Sequence, residues 1–246
     1  MNMGGAEGSE ADQVSAVFLH IPKTAGTSFR DALSRGFGDG AVSPGFPASL
    51  MPPSEVQALR HHRIVAGHIS ITDARRHFPG ASLFTIVRDP IQRCLSWYYF
   101  ARRITENNSP DVVAARDHDV EAFFALDDAI LFRNIFNRQV RQLGDHVFNK
   151  EVDLDASLIR ARRTVEDCVW VGRQEHLVSD MERLGDVFPE MDGTLLHPLN
   201  VTPNRPALPD ISPSVVKRIV ESNRYDLELY AHVEATLRSP QVRQAP

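Results

Sequence analysis

Short apolar runs alternate with segments of helical periodicity along most of the chain. The apolar runs predict β-strands at residues 14–20, 63–67, 82–87 and 168–172. Helix signals follow the first three runs and predict helices at residues 27–35, 54–61, 70–78 and 90–103; the last has Asp89 at its N-cap and Pro90 at its first position. This alternation predicts an α/β protein whose parallel sheet is covered by helices on both faces.

The second half of the chain has mainly helical periodicity. It predicts helices at residues 120–126, 130–143, 156–164, 177–188 and 212–237, with loops at residues 37–53, 107–120 and 189–209. Residues 1–13 have the composition of a disordered leader, and residues 239–246 that of a flexible tail. We therefore expect a single domain over residues 14–238.

Charge is distributed unevenly along the 246 residues. The formal net charge of -5 argues against a general nucleic-acid-binding protein. Residues 60–103 nevertheless contain eight arginines and two aspartates, whereas residues 105–130 contain seven acidic residues and one arginine. A basic segment inside an acidic chain favours a small anionic ligand.

The chain carries few signals for a compartment. Cys94 and Cys168 lie far apart in apolar surroundings, which favours two buried, reduced thiols over a disulfide framework. No run approaches the roughly 18 apolar residues of a membrane-spanning helix. The first residues lack the basic and apolar regions of a secretory signal. These features predict a cytoplasmic protein without a membrane anchor.

Three polar residues follow the ends of three predicted strands. Lys23 follows the first, His68 ends the second and Arg88 ends the third. Because ligands of open parallel sheets bind along the edge formed by the carboxyl ends of the strands, we expect these three side chains to line one cleft.

The segment from Val17 to Phe29, V-F-L-H-I-P-K-T-A-G-T-S-F, predicts a strand, a tight loop and the first turn of a helix. N–H groups at the helix start, together with Lys23, would form a cradle for a phosphate-like group. The nucleoside-triphosphate loop G-x-x-x-x-G-K-[ST] has a different order, because here the lysine precedes the glycine. An ordinary strand–turn–helix connection with an exposed lysine is the alternative.

A second candidate anion site follows the third predicted strand. In T-I-V-R-D-P-I-Q-R-C-L-S, Arg88 ends the strand and Ser96 lies about two turns into the next helix. The planar guanidinium suits a phosphate, and Ser96 would add a hydroxyl donor. Alternatively, Arg88 pairs with Asp89 or another neighbour and Ser96 is an ordinary helix residue.

Together these motifs resemble a known family. H-I-P-K-T-A-G-T-S-F resembles the 5′-phosphosulfate loop of sulfotransferases that use 3′-phosphoadenosine 5′-phosphosulfate (PAPS), and I-V-R-D-P-I-Q-R-C-L-S-W-Y-Y resembles their 3′-phosphate motif. The resemblance is to the carbohydrate-type group, which includes heparan sulfate 2-O-sulfotransferases and bacterial sulfotransferases of family 2. Weaker similarities occur at residues 137–143, 171–175, 199–202 and 223–230. The resemblance implies a P-loop, nucleotide-kinase-like three-layer fold with a helical C-terminal half.

The resemblance also implies roles for the matching residues. Lys23 would contact the oxygen that bridges sulfur and phosphorus. Arg88 and Ser96 would hold the 3′-phosphate. The cofactor-binding residues of the 5′-phosphate would be Lys23, Thr24, Ala25, Gly26, Thr27 and Ser28.

A general base must take the proton of the acceptor hydroxyl, and His68 in V-A-G-H-I-S resembles the family's Gly-His base. An imidazole titrates near neutral pH and suits this role. A satisfied strand-end histidine is the alternative reading, and Glu55 or Glu175 remain alternative bases. His20 is expected to be structural.

Some polar residues carry weaker expectations. Arg205, with Asn200 in the proline-rich loop, is a candidate for closing over the cofactor or acceptor, although a solvated loop accounts for both equally well. His61 and His62 do not have a coherent metal-ligand spacing with His68, so no metal site is expected.

The sequence therefore predicts transfer of a sulfuryl group from PAPS to a hydroxyl of a carbohydrate or glycolipid acceptor, in line and without a metal. Two other classes stay open. One is an ATP-dependent small-molecule kinase of P-loop type, and the other is a non-catalytic module that binds a nucleotide or glycan.

Overall fold

The core of the fold is a four-stranded parallel sheet. The computed structural model describes residues 14–45, 53–145, 151–193, 196–197 and 208–238. The strands are β1 (Ala16–Leu19), β2 (Ile64–Gly67), β3 (Ser82–Val87) and β4 (Trp170–Arg173), in the spatial order β2-β1-β3-β4. Every pairing between them is parallel. The predicted α/β sheet is therefore confirmed.

Helices connect the strands and continue after the last one. In chain order they are α1 (Gly26–Phe37), α2 (Pro53–Leu59), α3 (Ile71–His77), α4 (Pro90–Ala101), α5 (Pro110–Asp117), α6 (Val120–Phe124), α7 (Asp128–Leu131), α8 (Arg138–Leu143), α9 (Leu154–Asp167), α10 (Leu177–Val187), α11 (Pro213–Ser222) and α12 (Arg224–Arg238). Short 3₁₀ turns occur at Gln174–His176, Pro189–Met191 and Leu208–Asp210.

Successive residues of β1 point to opposite faces of the sheet, and both faces are buried. Val17 and Leu19 join the apolar cluster formed with helices α2, α3, α8, α9 and α12. Ala16 and Phe18 join the cluster on the other face, formed with α1 and α10. The result is the three-layer arrangement of helices, sheet and helices that the alternation of strands and helices predicts.

A third apolar cluster lies among helices alone. It joins residues of α4, α5, α6, α7 and α11, and includes Tyr98, Phe123 and Ile219. The chain after β3 is largely helical, as expected, and this cluster packs α4 against α5, α6, α7 and α11.

Two long predicted helices are each broken in the structure. The helix predicted at residues 130–143 is replaced by α7 and α8, with Asn137 in the left-handed conformation at φ 42°. The helix predicted at residues 212–237 is replaced by α11 and α12, with Asn223 between them. Asparagine tolerates the left-handed region better than most residues, so Asn137 is a suitable break point.

The two breaks cap each other, which periodicity along the chain does not reveal. The Oδ1 atom of Asn137 accepts hydrogen bonds from the backbone N–H groups of Tyr225 and Asp226, both at 3.1 Å. The carboxylate of Asp226 in turn accepts the N–H groups of Gln139 at 3.1 Å and Val140 at 2.8 Å. Each helix start thus has its unsatisfied donors bound by a residue distant in sequence.

The loop predicted at residues 107–120 was wrong, because it contains helix α5 (Pro110–Asp117). Ser109 at the N-cap and Pro110 at the first position are start signals for this helix. The helix is short, and the buried Val112 and Ala115 attach it to the helical cluster. A helix this short is stabilised mainly by packing against other helices, and the periodicity of the segment itself does not show such packing.

Several predictions lie partly or wholly outside the described residues. These include the leader at 1–13, the tail at 239–246, and much of the loops at 37–53 and 189–209. Among the residues that are described, no helix combines the length and apolar character needed to cross a membrane.

Candidate functional site

The carboxyl ends of β1, β2 and β3 meet at one edge of the sheet. Leu19, the last residue of β1, pairs with Gly67 at the end of β2 and with Thr85 in β3. The guanidinium of Arg88 donates a hydrogen bond from Nη1 to the backbone oxygen of Lys23 at 3.0 Å. The loop after β1 and the end of β3 are therefore in direct contact.

The loop after β1 has an unusual backbone that opens the start of α1. Lys23 and Ala25 both have positive φ angles, of 70° and 62°. The hydroxyl of Thr24 is buried and donates to the backbone oxygen of Ile21 at 2.8 Å, so it stabilises the loop itself. No side chain caps α1, and its first turn contains no acidic residue. The positive end of the helix dipole thus faces the same edge as Arg88.

The amine of Lys23 lies at this edge too, above an aromatic ring. Its Nζ atom is 3.8 Å from the centre of the Phe100 ring on helix α4. A contact of this kind at a partly exposed site contributes about 0.5–1 kcal/mol. The ring therefore holds the lysine near the loop without binding it strongly.

The rings of His68 and His20 face each other at the ends of β2 and β1, with their planes tilted by 30°. Their ring centres are 4.4 Å apart, and the ring of His20 stacks on Phe18 at 5.6 Å. The Nδ1 atom of His68 lies 2.7 Å from the backbone oxygen of His20. Because a carbonyl only accepts hydrogen bonds, Nδ1 carries the proton, and Nε2 keeps a lone pair that can accept one.

Both imidazoles are kept neutral by their surroundings. Burial lowers the pKa of His20 well below its usual value, and the neighbouring His68, Arg30 and Lys23 lower it further. Burial also lowers the pKa of His68, against the opposing effect of its hydrogen bond to His20, and Arg138 adds to the lowering. Neutral His68 at pH 7 is the protonation state that a general base requires.

Gly26 allows the ring of His20 to lie against the start of α1. A Cβ atom at this position would come within 1.8 Å of the His20 Nε2 atom. The glycine is therefore needed for close approach between the ring and the helix N-terminus. Thr27 is exposed beside it, and the buried Ser28 follows.

Arg88 is held by more contacts than the sequence indicated. Its backbone N–H donates to Oε1 of Gln139 at 2.9 Å, and its backbone oxygen accepts from Nε2 of the same side chain at 2.8 Å. The Nε atom lies 3.6 Å from Glu175 Oε1. Ser96, buried on α4, makes no side-chain hydrogen bond to any residue that is described.

The two alternative bases lie in different settings. Oε2 of Glu175 accepts the backbone N–H of Asp89 at 3.2 Å and the hydroxyl of Tyr230 at 3.0 Å, which commits this carboxylate to the Arg88 side of the edge. Glu55 is exposed in the first turn of α2. Neither shares the contact that places His68 beside the loop.

The structure describes only some of the remaining candidate residues. Arg205 and Asn200 lie outside the described residues. The Nδ1 atom of His62 contacts the backbone oxygen of Gly40 at 2.7 Å. In the described ranges, no three His, Cys, Asp or Glu side chains are arranged to hold a metal ion.

Sequence reasoning missed four residues that contact this edge: Phe100, Arg138, Gln139 and Gln142. The last three belong to N-R-Q-V-R-Q-L, whose similarity to the family is weak. All six residues of α8 are buried although four of them are polar. A polar run inside a predicted core helix is the signal that would have identified them, because buried polar groups need partners.

Comparison with known proteins adds one match. The family model described as "Sulfotransferase family" matches residues 11–147, which is more than half of the chain. This range contains Lys23, His68 and Arg88. No curated protein matches the chain.

Proposed function

The chain belongs to the sulfotransferase family, and from this premise we propose that it transfers a sulfuryl group from PAPS to a hydroxyl of a carbohydrate or glycolipid acceptor. Members of the family are transferases; the donor and the acceptor class are the parts proposed here. A cytoplasmic location belongs to the same proposal.

The hydrogen bond between Arg88 Nη1 and the Lys23 backbone oxygen, at 3.0 Å, is the observation that carries the proposal. It brings together two cationic residues that are far apart in sequence. A nucleotide with one phosphate group on each side of its ribose would have its 5′ end at the start of α1 and its 3′-phosphate on Arg88. An ATP site needs no cation at the 3′ position.

The proposed chemistry is a direct in-line transfer. The bond between sulfur and the bridging oxygen breaks, and a bond forms between sulfur and the acceptor oxygen. Charge grows on the bridging oxygen, where Lys23 and the N–H groups at the start of α1 stabilise it. The acceptor proton goes to Nε2 of His68, and adenosine 3′,5′-bisphosphate leaves.

His68 is suited to this role by its fixed tautomer. The 2.7 Å contact of Nδ1 with the His20 oxygen orients the ring and leaves Nε2 as the acceptor. Its lowered pKa keeps it unprotonated near neutral pH. A correctly oriented neutral base contributes about 10²–10⁴-fold to such a step.

A small cavity of about 30 Å³ lies beside the His20 ring. It is lined by Thr27 and Arg30 of α1 and by Ala66 of β2, among others. Arg30 makes no ion pair with any residue in the described part of the chain. A hydroxyl and a guanidinium are hydrogen-bond donors, but a cavity of this size has room for only about two water molecules, so a sugar ring does not fit inside it.

Transfer of labelled sulfate from PAPS to a panel of sugars and glycolipids tests the proposal. The variants Lys23→Ala and His68→Ala should lose transfer. Lys217→Ala and His61→Ala, which alter exposed residues, are matched controls and should retain it. Full activity of both site variants would contradict the assigned roles.

Ligand binding separates the other two classes. A protein built for a 3′-phosphate should be stabilised against heat more by adenosine 3′,5′-bisphosphate than by ATP. A preference for ATP would favour a kinase. Tight binding of the bisphosphate with no turnover of any acceptor would favour a non-catalytic module.

A further inference from the structure

Helix α8 reaches the main chain at the ends of two different strands. Gln139 and Gln142 are three residues apart, so their side chains lie on the same side of the helix. Gln139 contacts the residue after β3, and Gln142 contacts the residue after β1. Both glutamines are buried, with exposed fractions of 1% each.

Gln139 satisfies both backbone groups of Arg88. It accepts from the Arg88 N–H at 2.9 Å and donates to the Arg88 oxygen at 2.8 Å. These groups follow the last residue of β3, where ladder hydrogen bonds end. The side-chain amide therefore takes the place of a neighbouring strand and fixes the direction in which the Arg88 side chain leaves the sheet.

Gln142 fixes the main chain at the His68 side of the edge through one backbone oxygen. Its Nε2 atom donates to the His20 backbone oxygen at 2.8 Å, and the same oxygen binds Nδ1 of His68 at 2.7 Å. Arg138 donates from Nη2 to Oε1 of Gln142 at 3.1 Å, which sets the orientation of the amide. Gln142 thus fixes the carbonyl that orients the His68 ring.

The helix itself is held firmly in place. Asp226 of α12 binds the N–H groups at its start, and Asn137 is bound in turn through the backbone of α12. Arg93 of α4 lies 4.0 Å from the Asp226 carboxylate, with both side chains fully buried. A helix anchored on two sides makes a rigid support for both glutamines.

We propose that Gln139 and Gln142 are positioning residues, with Gln139 setting the 3′-phosphate site at Arg88 and Gln142 setting the base at His68. The proposal rests on the proposed function. It assigns separate tasks to two chemically identical side chains, which makes each a matched control for the other.

Binding of two nucleotides tests the role of Gln139. The affinity for adenosine 3′,5′-bisphosphate, divided by that for adenosine 5′-monophosphate, reports the 3′-phosphate contact alone. Gln139→Met should reduce this ratio at least tenfold, and Gln139→Asn, which is shorter but polar, should reduce it in the same direction. In the Arg88→Met background, Gln139→Met should cause no further loss, because it acts through Arg88.

Steady-state kinetics tests the role of Gln142. Gln142→Met should lower kcat about tenfold while leaving the binding ratio and the KM for PAPS within about twofold of the parent protein. A loss confined to kcat indicates an interaction made at the reacting centre. Thermal unfolding of every variant reports any general loss of structure.

The outcomes separate the two proposals. The positioning roles are supported if the parent protein prefers the bisphosphate, Gln139→Met lowers the nucleotide affinity ratio, and Gln142→Met lowers kcat alone. The positioning roles are wrong, and the proposed function stands, if the parent protein prefers the bisphosphate but the variants do not differ from each other. This is the case if both variants lower the affinity ratio and kcat in parallel with stability, or if both leave the ratio and kcat unchanged. A parent protein that binds both nucleotides equally overturns the proposed function and the positioning roles with it.

Discussion

Replacement of Gly26 by alanine tests whether the ring of His20 and the start of α1 are packed as closely as described. The new Cβ would lie 1.8 Å from His20 Nε2, whereas ordinary contact begins at 3.4 Å. The ring or the helix start must therefore move by about 1.6 Å, the difference between these two distances. His68 limits the movement of the ring on one side, with ring centres 4.4 Å apart, and the small cavity lined by His20 and Gly26 leaves it limited room elsewhere.

The expected loss follows from overpacking between the His20 ring and the start of α1. Such insertions cost about 1–3 kcal/mol, which lowers Tm by about 2–12 °C for a chain of this size. Differential scanning calorimetry measures the change. Because the helix start is where we place the 5′-phosphate, binding of adenosine 3′,5′-bisphosphate should weaken as well.

Two controls distinguish this clash from a general effect of alanine. Gly185→Ala in α10 has its nearest non-neighbouring atom at 3.5 Å, so we expect no loss of stability there. In the His20→Ala background, the space occupied by the ring is empty, and Gly26→Ala should cost little. An unchanged Tm for Gly26→Ala, or an equal cost in both backgrounds, would refute the close packing of this ring and helix.

Three further predictions follow from the buried charges and imidazoles. Because the pKa of His68 is lowered, kcat/KM should fall with decreasing pH only below pH 6.5. A pH–rate profile in which this fall begins above pH 6.5 would show that the pKa of the base is not lowered. The pKa of His20 is lower in the folded than in the unfolded protein, so the free energy of unfolding should fall as the pH drops below 6.5. Equal urea midpoints at pH 7 and pH 5.5 would contradict this. Asp226→Asn should cost about 1–3 kcal/mol in urea unfolding, because an amide has one acceptor oxygen and leaves one of the two buried N–H groups at the start of α8 without its partner. Asp31→Asn at an exposed pair should cost less than about 1 kcal/mol. Similar costs for the two aspartate variants would show that the Asp226 carboxylate is not needed at the start of α8.

The sheet and its edge were predictable because their signals are local. Each strand is a short apolar run; His68 and Arg88 directly follow two of these runs, and Lys23 lies in the short loop after a third. In a parallel sheet, chain direction alone brings these positions to one edge.

The helical breaks and the supporting contacts were not predictable from local patterns. Asn137 and Asn223 interrupt periodic segments, and the groups that stabilise each break lie more than 80 residues away in sequence. The reach of Gln139 and Gln142 to two strand ends depends on where α8 packs. Such contacts are properties of the assembled fold and leave only a polar run in a buried helix as a sign in the sequence.

A structure of the protein with adenosine 3′,5′-bisphosphate would show whether Lys23 and Arg88 hold the two ends of one nucleotide. We expect the 5′-phosphate at the backbone N–H groups of Gly26 and Thr27, with the Lys23 amine beside it, and the 3′-phosphate on the guanidinium of Arg88. A nucleotide bound away from this edge, or one whose 3′-phosphate does not contact Arg88, would show that these residues do not form a PAPS site.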